Sequence, residues 1–180
     1  MKKIVLSLEQ NADNFLFKLS PKATSTDWDL TYYDAATQQY EALTQDTQFN
    51  VEFELGEACF GSNISALARR ALASKQQAVF IVEMDDTSTD GDWRFWQNGI
   101  SLSSEQDEQD YTLNAQVQNQ GKTLVLTINN VFSNAALCAG EFDKIDFRFV
   151  AVRLNKSAGQ LNEIFYSQDP RVGVRRNKPA

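Results

Sequence analysis

The chain is 180 residues long and carries 17 basic and 24 acidic side chains, a formal net charge of −7 with no histidine. That acidity repels phosphate backbones and argues against a nucleic-acid binder, and the lack of histidine removes the commonest catalytic base and metal ligand. The length suits one domain that buries roughly two-thirds of its unfolded surface, without needing a disulfide or a metal to fold.

In chain order, Met1–Glu9 begins like an export signal, but its apolar run is short and Glu9, Asn11 and Asp13 follow at once. Ile4, Leu6 and Leu8 read as the inward side of a first strand, near 2–8, and a cytoplasmic location is expected. A second strand is expected near 14–19, a surface loop at 20–27, and a third strand at 28–33 with Trp28 and Tyr32 in the core. The polar stretch 34–47 reads as a surface connection. Phe49, Val51, Phe53 and Leu55 then alternate with Gln48, Asn50, Glu52 and Glu54, the period of a strand with one dry face and one wet face. Residues 62–74 read as one short amphipathic helix. Ser62 is its candidate N-cap, and Ile64, Leu67, Ala68, Ala71 and Leu72 form its apolar stripe.

Further strands are expected at 77–84, 92–97, 110–118, 122–129, 144–154 and 162–167. Asn119-Gln120-Gly121-Lys122 reads as the tight turn of a hairpin. Recurrent period-two alternation is the habit of antiparallel sheets, and two such sheets stacked dry face to dry face make a sandwich. The expected fold class is therefore mainly β, an antiparallel two-sheet sandwich with one short helix. Residues 1–168 form the single domain, and 169–180 form a basic C-terminal tail or an extension along a sheet edge. Cys59 and Cys138 are too few for a disulfide framework and read as reduced, buried thiols. No stretch approaches the ~20 apolar residues of a membrane span.

Four constellations bear on chemistry. Asp86-x-Ser88-x-Asp90-Gly91-Asp92 imitates the opening of a calcium loop, with alternating oxygen ligands and a glycine for the sharp turn. Position twelve of that loop is Gln97 where a bidentate glutamate is needed, so a solvated hairpin turn is the simpler reading. Glu105, Asp107, Glu108 and Asp110 crowd one polar connection, which suits a solvated loop better than a glycosidase pair facing across a cleft. In Trp93-Arg94-Phe95-Trp96, strand geometry puts Trp93 and Phe95 on one face and Arg94 and Trp96 on the other. If the first pair is core, an indole stands outside beside a guanidinium, a pairing suited to sugar rings or a protein partner, although burial of both tryptophans under loops or the helix is the simpler reading. Arg171, Arg175, Arg176 and Lys178 make the last ten residues basic, which suits an arm that docks on an acidic partner or anionic lipid, or more simply a segment that is solvated or lies back on its own acidic domain. Neither a G-x-S-x-G nucleophile motif nor a phosphate-cradling glycine loop is present, and no cofactor is expected.

From about Gln77 onward the chain resembles the DP-EP family of small bacterial β-proteins. The shared residues are Val79-Phe80-Ile81-Val82, the acidic turn Asp85-Asp86-Thr87, Trp93-Arg94-Phe95 and Asp146-Phe147-Arg148-Phe149-Val150. They end in Asp169-Pro170, followed by Lys178-Pro179, where lysine stands in place of an acid. The resemblance implies an immunoglobulin-like sandwich and brings no catalytic residue with it. Residues 1–76 are not covered by it. The resulting expectation is a non-catalytic protein-interaction module that uses a sheet edge or the Arg94/Trp96 face, with a homodimer by edge pairing as one form. The alternative is a carbohydrate- or calcium-assisted ligand-binding module, and a carboxylate-dependent hydrolase comes third.

Overall fold

The structure is a computed structural model that describes residues 2–6, 12–43, 49–53, 65, 67–68, 71, 74–85, 87, 91–102, 111–130, 143–154, 162–168 and 171–176. Twelve strands lie among them: β1 (Lys2–Leu6), β2 (Ala12–Ser20), β3 (Asp29–Asp34), β4 (Gln39–Ala42), β5 (Phe49–Phe53), β6 (Gln77–Met84), β7 (Asp92–Leu102), β8 (Tyr111–Gln118), β9 (Thr123–Asn130), β10 (Asp143–Leu154), β11 (Glu163–Tyr166) and β12 (Arg171–Arg176). One six-stranded sheet runs β4-β3-β2-β6-β9-β8. The other runs β1-β5-β12-β10-β11, with β7 also paired to β10. The protein is a two-sheet β-sandwich, as the alternation requires.

The alternation also says which side chains meet. Ala78, Phe80, Val82 and Met84 of β6 are buried while Glu83 between them is exposed. Leu124, Leu126 and Ile128 of β9 pack beside them, and Phe17 and Leu19 come from β2. Against these stand Trp93 and Phe95 of β7, and Ile145, Phe147, Phe149 and Ala151 of β10. Burying each large side chain stabilises the fold by about 1.5–3 kcal/mol, so the two inward faces hold the layers together.

Several features differ from the sequence reading. Three pairings are parallel rather than antiparallel: β1 with β5, β5 with β12, and β2 with β6. Neighbours in these pairs are distant in sequence, and parallel pairing needs such a crossover, whereas hydrophobic alternation is blind to strand direction. Inside the expected loop 34–47 lies β4, folded back on β3 by a turn at 35–38 in which Gln38 adopts φ 55°. It is polar because it is an edge strand of four residues.

The expected tail is corrected too. Arg171–Arg176 is strand β12, seated between β5 and β10. Its basic residues hid a strand that backbone pairing on both sides holds in the sheet. Leu67, Ala68 and Ala71 are helical, as expected. Ser65 Oγ accepts from Ala68 N at 3.2 Å, the bond of an N-cap, and Ser62, the expected cap, lies outside the described residues. Leu67, expected on the buried stripe, is 77% exposed. The 119–122 turn is as expected, with Asn119, Gln120 and Gly121 all at positive φ. Cys59 and Cys138 lie outside the described residues.

Candidate functional site

Strand β7 positions the candidate residues, and it is irregular for a reason. Its pairing with β10 shifts between Phe149 and Ala151, so that Trp96, Gln97, Asn98 and Gly99 together face Val150 alone. Such a bulge sharpens the local twist and re-aims side chains. Gln97 at φ 53° and Gly99 at φ 78° carry the turn. A Cβ at Gly99 would stand 2.8 Å from Leu124 Cδ1 and 3.1 Å from Val117 Cγ2, because the bulge presses on the other sheet. Only glycine meets both demands.

Before the bulge, Trp93 and Phe95 point into the core, 1% and 4% exposed. The Trp93 ring lies edge-on to Phe165 at 4.9 Å and to Trp28 at 6.1 Å, with the Arg153 guanidinium 5.9 Å from its centroid. Asp92, Arg94 and Trp96 take the opposite face by the period of two. Trp96 is 40% exposed there. The tetrad is therefore divided as strand geometry allows, and the simpler expectation, burial of both tryptophans, does not hold for Trp96.

Arg94 is differently placed from Trp96. Its Nη2 donates to Asp92 Oδ2 at 3.0 Å and its Nη1 to the Gln120 backbone carbonyl at 3.1 Å. Lys122 Nζ meets the other oxygen of Asp92 at 2.9 Å. Lys122 and then Arg94 hold the Asp92 carboxyl below its ordinary value, against the opposing pull of burial. The tip of the β8–β9 hairpin is thus latched to the edge strand of the other sheet. Gly121 belongs to the same latch, since a Cβ there would come 2.8 Å from Arg94 Cβ.

Around Trp96 the outward face of β10 and β11 completes an apolar platform. Arg94, Val152 and Ile164 share one register row, and Val150 and Tyr166 share the next, where Trp96 begins the bulge. Val150 and Val152 are 6% and 3% exposed, yet they stand apart from the main core cluster. Ile164 and Tyr166 are exposed at their sides. With strands about 4.8 Å apart, the strands bearing Trp96 and Tyr166 lie roughly 10 Å from each other across a valine floor. Ser167 fixes the end of this platform: its backbone N–H donates to Phe149 O at 3.0 Å, and Phe149 N donates to Ser167 Oγ at 2.9 Å.

The remaining candidates do not join this site. Arg171 pairs in register with Asp146, and Arg175 and Arg176 pair with Glu52 and Phe53. Val150, which Trp96 faces, is four residues along β10 from Asp146, roughly 13 Å at strand rise, so the backbone of the basic segment lies that far from the tryptophan's row. Asp86, Ser88 and Asp90 lie outside the described residues. Of the proposed metal ligands only Asp92 is described, and both of its oxygens hold cationic side chains. Asp85, next to that run, accepts from Thr87 N and Oγ1 and from Ser20 Oγ, and Thr87 leads in lowering its pKa. Among the described residues no cluster of three or more metal-ligating side chains forms. No helix among them is long and apolar enough to cross a membrane.

Sequence reasoning missed Tyr166, Ile164 and the two outward valines. Ile164-Phe165-Tyr166 is apolar on both faces, so period two gives no sign of which side is out. The signal was that doubled apolarity, at a strand too short to be buried on both faces.

Fold and site together define a β-sandwich that carries an aromatic-rimmed apolar platform on one outer face. The chain belongs to the DP-EP family, whose model matches residues 2–176. The match takes in the first 76 residues as well, which the sequence resemblance had left uncovered. No curated protein matches the chain.

Proposed function

We propose that this chain is a non-catalytic protein-interaction module of the bacterial cytoplasm, and that it binds through the outward platform of Trp96, Tyr166 and Ile164. One observation carries the reading: β7 buries Trp93 at 1% exposure and leaves Trp96, three residues on, at 40%. Exposed indole and phenol groups over a dry floor are the make-up of interface hot spots. Arg94 enters as a positioning residue, because the latch to Asp92 and Gln120 already uses its guanidinium.

The test is comparative capture by the immobilised wild-type chain, Trp96→Ala, Tyr166→Ala and, as a control elsewhere on the surface, Leu67→Ala. The reading expects one bound species to be lost with both aromatic variants and kept with the control, while all four melt alike. An unchanged set of bound species across the four contradicts it. Carbohydrate binding is a second reading, favoured by the spacing of the two rims. It expects tryptophan emission to shift on titration with a sugar panel, and the shift to vanish in Trp96→Ala.

A further inference from the structure

The free edges of the two sheets are unequal in their defences. β1 is five residues long and carries Lys2 and Lys3, and β4 and β11 are four residues each, with Glu41 and Glu163. Strand β7 is broken by its bulge and latched to the β8–β9 tip. Shortness, charge and bulges are the usual guards against edge-to-edge pairing. β8 is neither short, charged nor bulged, and β7 lies against it at its C-terminal end, at Val117 and the hairpin tip. β8 runs eight residues, Tyr111–Gln118, in unbroken register with β9, and holds no proline and no charged residue. The whole window Tyr111–Asn130 contains one charged side chain, Lys122, in a chain that has 17 basic and 24 acidic ones. β8 ends its sheet, and among the described residues no strand pairs with its far side.

We propose that β8 is a dimerisation edge and that its partner is β8 of a second copy of this chain, antiparallel across a two-fold axis at Ala115. This goes beyond the platform reading and uses a different surface. The pattern is self-complementary in that register. Leu113 meets the partner's Val117, continuing the core-facing row, and Asn114 and Thr112 meet the partner's Gln116 and Gln118 on the exposed row. Two copies that each carry a net charge of −7 repel at a distance, so contact falls where charge is absent. The result is one continuous twelve-stranded sheet made from two six-stranded ones.

Sedimentation equilibrium of the full chain tests this, with N114K/Q116K and N114E/Q116E as variants. Asn114 and Gln116 are exposed, so the changes fall outside the core. The wild type is expected to reach twice its 20.3 kDa at high micromolar loading. Each variant alone is expected to dissociate about tenfold or more readily, because like charges then face each other. An equimolar mixture of the two variants regains the dimer. A wild type that stays monomeric, or a dimer that both variants leave unchanged, overturns the proposal. Hydrogen exchange of the wild type needs no variant: β8 amides are expected to lose protection on dilution, and concentration-independent protection there overturns it equally.

Discussion

The two tryptophans of β7 make the most instructive comparison in the molecule. Trp93 is 1% exposed and ringed by Phe165, Trp28 and Arg153, whereas Trp96 is 40% exposed at the start of a four-residue bulge. They have the same chemistry, the same strand and nearly the same sequence context, and opposite physical roles. An odd spacing on a strand puts side chains on opposite faces, and the bulge then lets the outward one lean over β10 without disturbing the inward one. Burial, rather than residue type, separates a core residue from a binding candidate.

The comparison breaks most visibly at Trp93. Trp93→Ala is expected to cost about 3–5 kcal/mol through lost burial and an unfilled cavity, lowering the melting temperature by roughly 10 °C or more. A melt close to wild type would mean that the ring is not a keystone of the core. Gly99→Ala sharpens the account of the bulge. The Cβ contacts with Leu124 and Val117, added to a left-handed φ of 78°, predict a loss of about 1–3 kcal/mol and altered Trp96 emission, read by denaturant titration with fluorescence.

Asp92→Asn probes the latch that holds β7 to the hairpin. Loss of the charge on both bonds predicts about 1–3 kcal/mol of destabilisation in chemical denaturation at neutral pH. The pH dependence has a definite sign. A folded-state pKa below the ordinary carboxylate value means that the unfolded chain takes up the proton first. The latch's contribution is therefore complete above about pH 4 and is lost as pH falls through the depressed value. Stability of the wild type should drop more steeply than that of Asp92→Asn on acidification from pH 5, and parallel curves would remove the latch from the account.

Much of this was legible in the sequence. Strand β6 falls on the residues that alternation marks, because its inward Ala78, Phe80, Val82 and Met84 leave no choice of register. The Trp93/Phe95 and Arg94/Trp96 division was legible for the same reason. β12 and β4 were not, since a strand held by backbone pairing needs no apolar alternation, and Arg171–Arg176 reads as charge. The parallel pairings were hidden because side-chain period does not encode direction. The platform was half visible: strand geometry could set Trp96 outward but left its burial open, while Tyr166 and Ile164 depend on β11 being laid beside β10, a contact between distant segments of the chain. The latch was invisible, because nothing in Asp92-Trp93-Arg94 says that Gln120 and Lys122 will arrive there.

A Trp96 ring held outside the core is dispensable for folding. The thermal melt of Trp96→Ala beside wild type tests it most directly. The expected change is less than about 1 kcal/mol, a few degrees at most. A loss as large as that of Trp93→Ala would show Trp96 to be a core residue and contradict the platform as a binding surface.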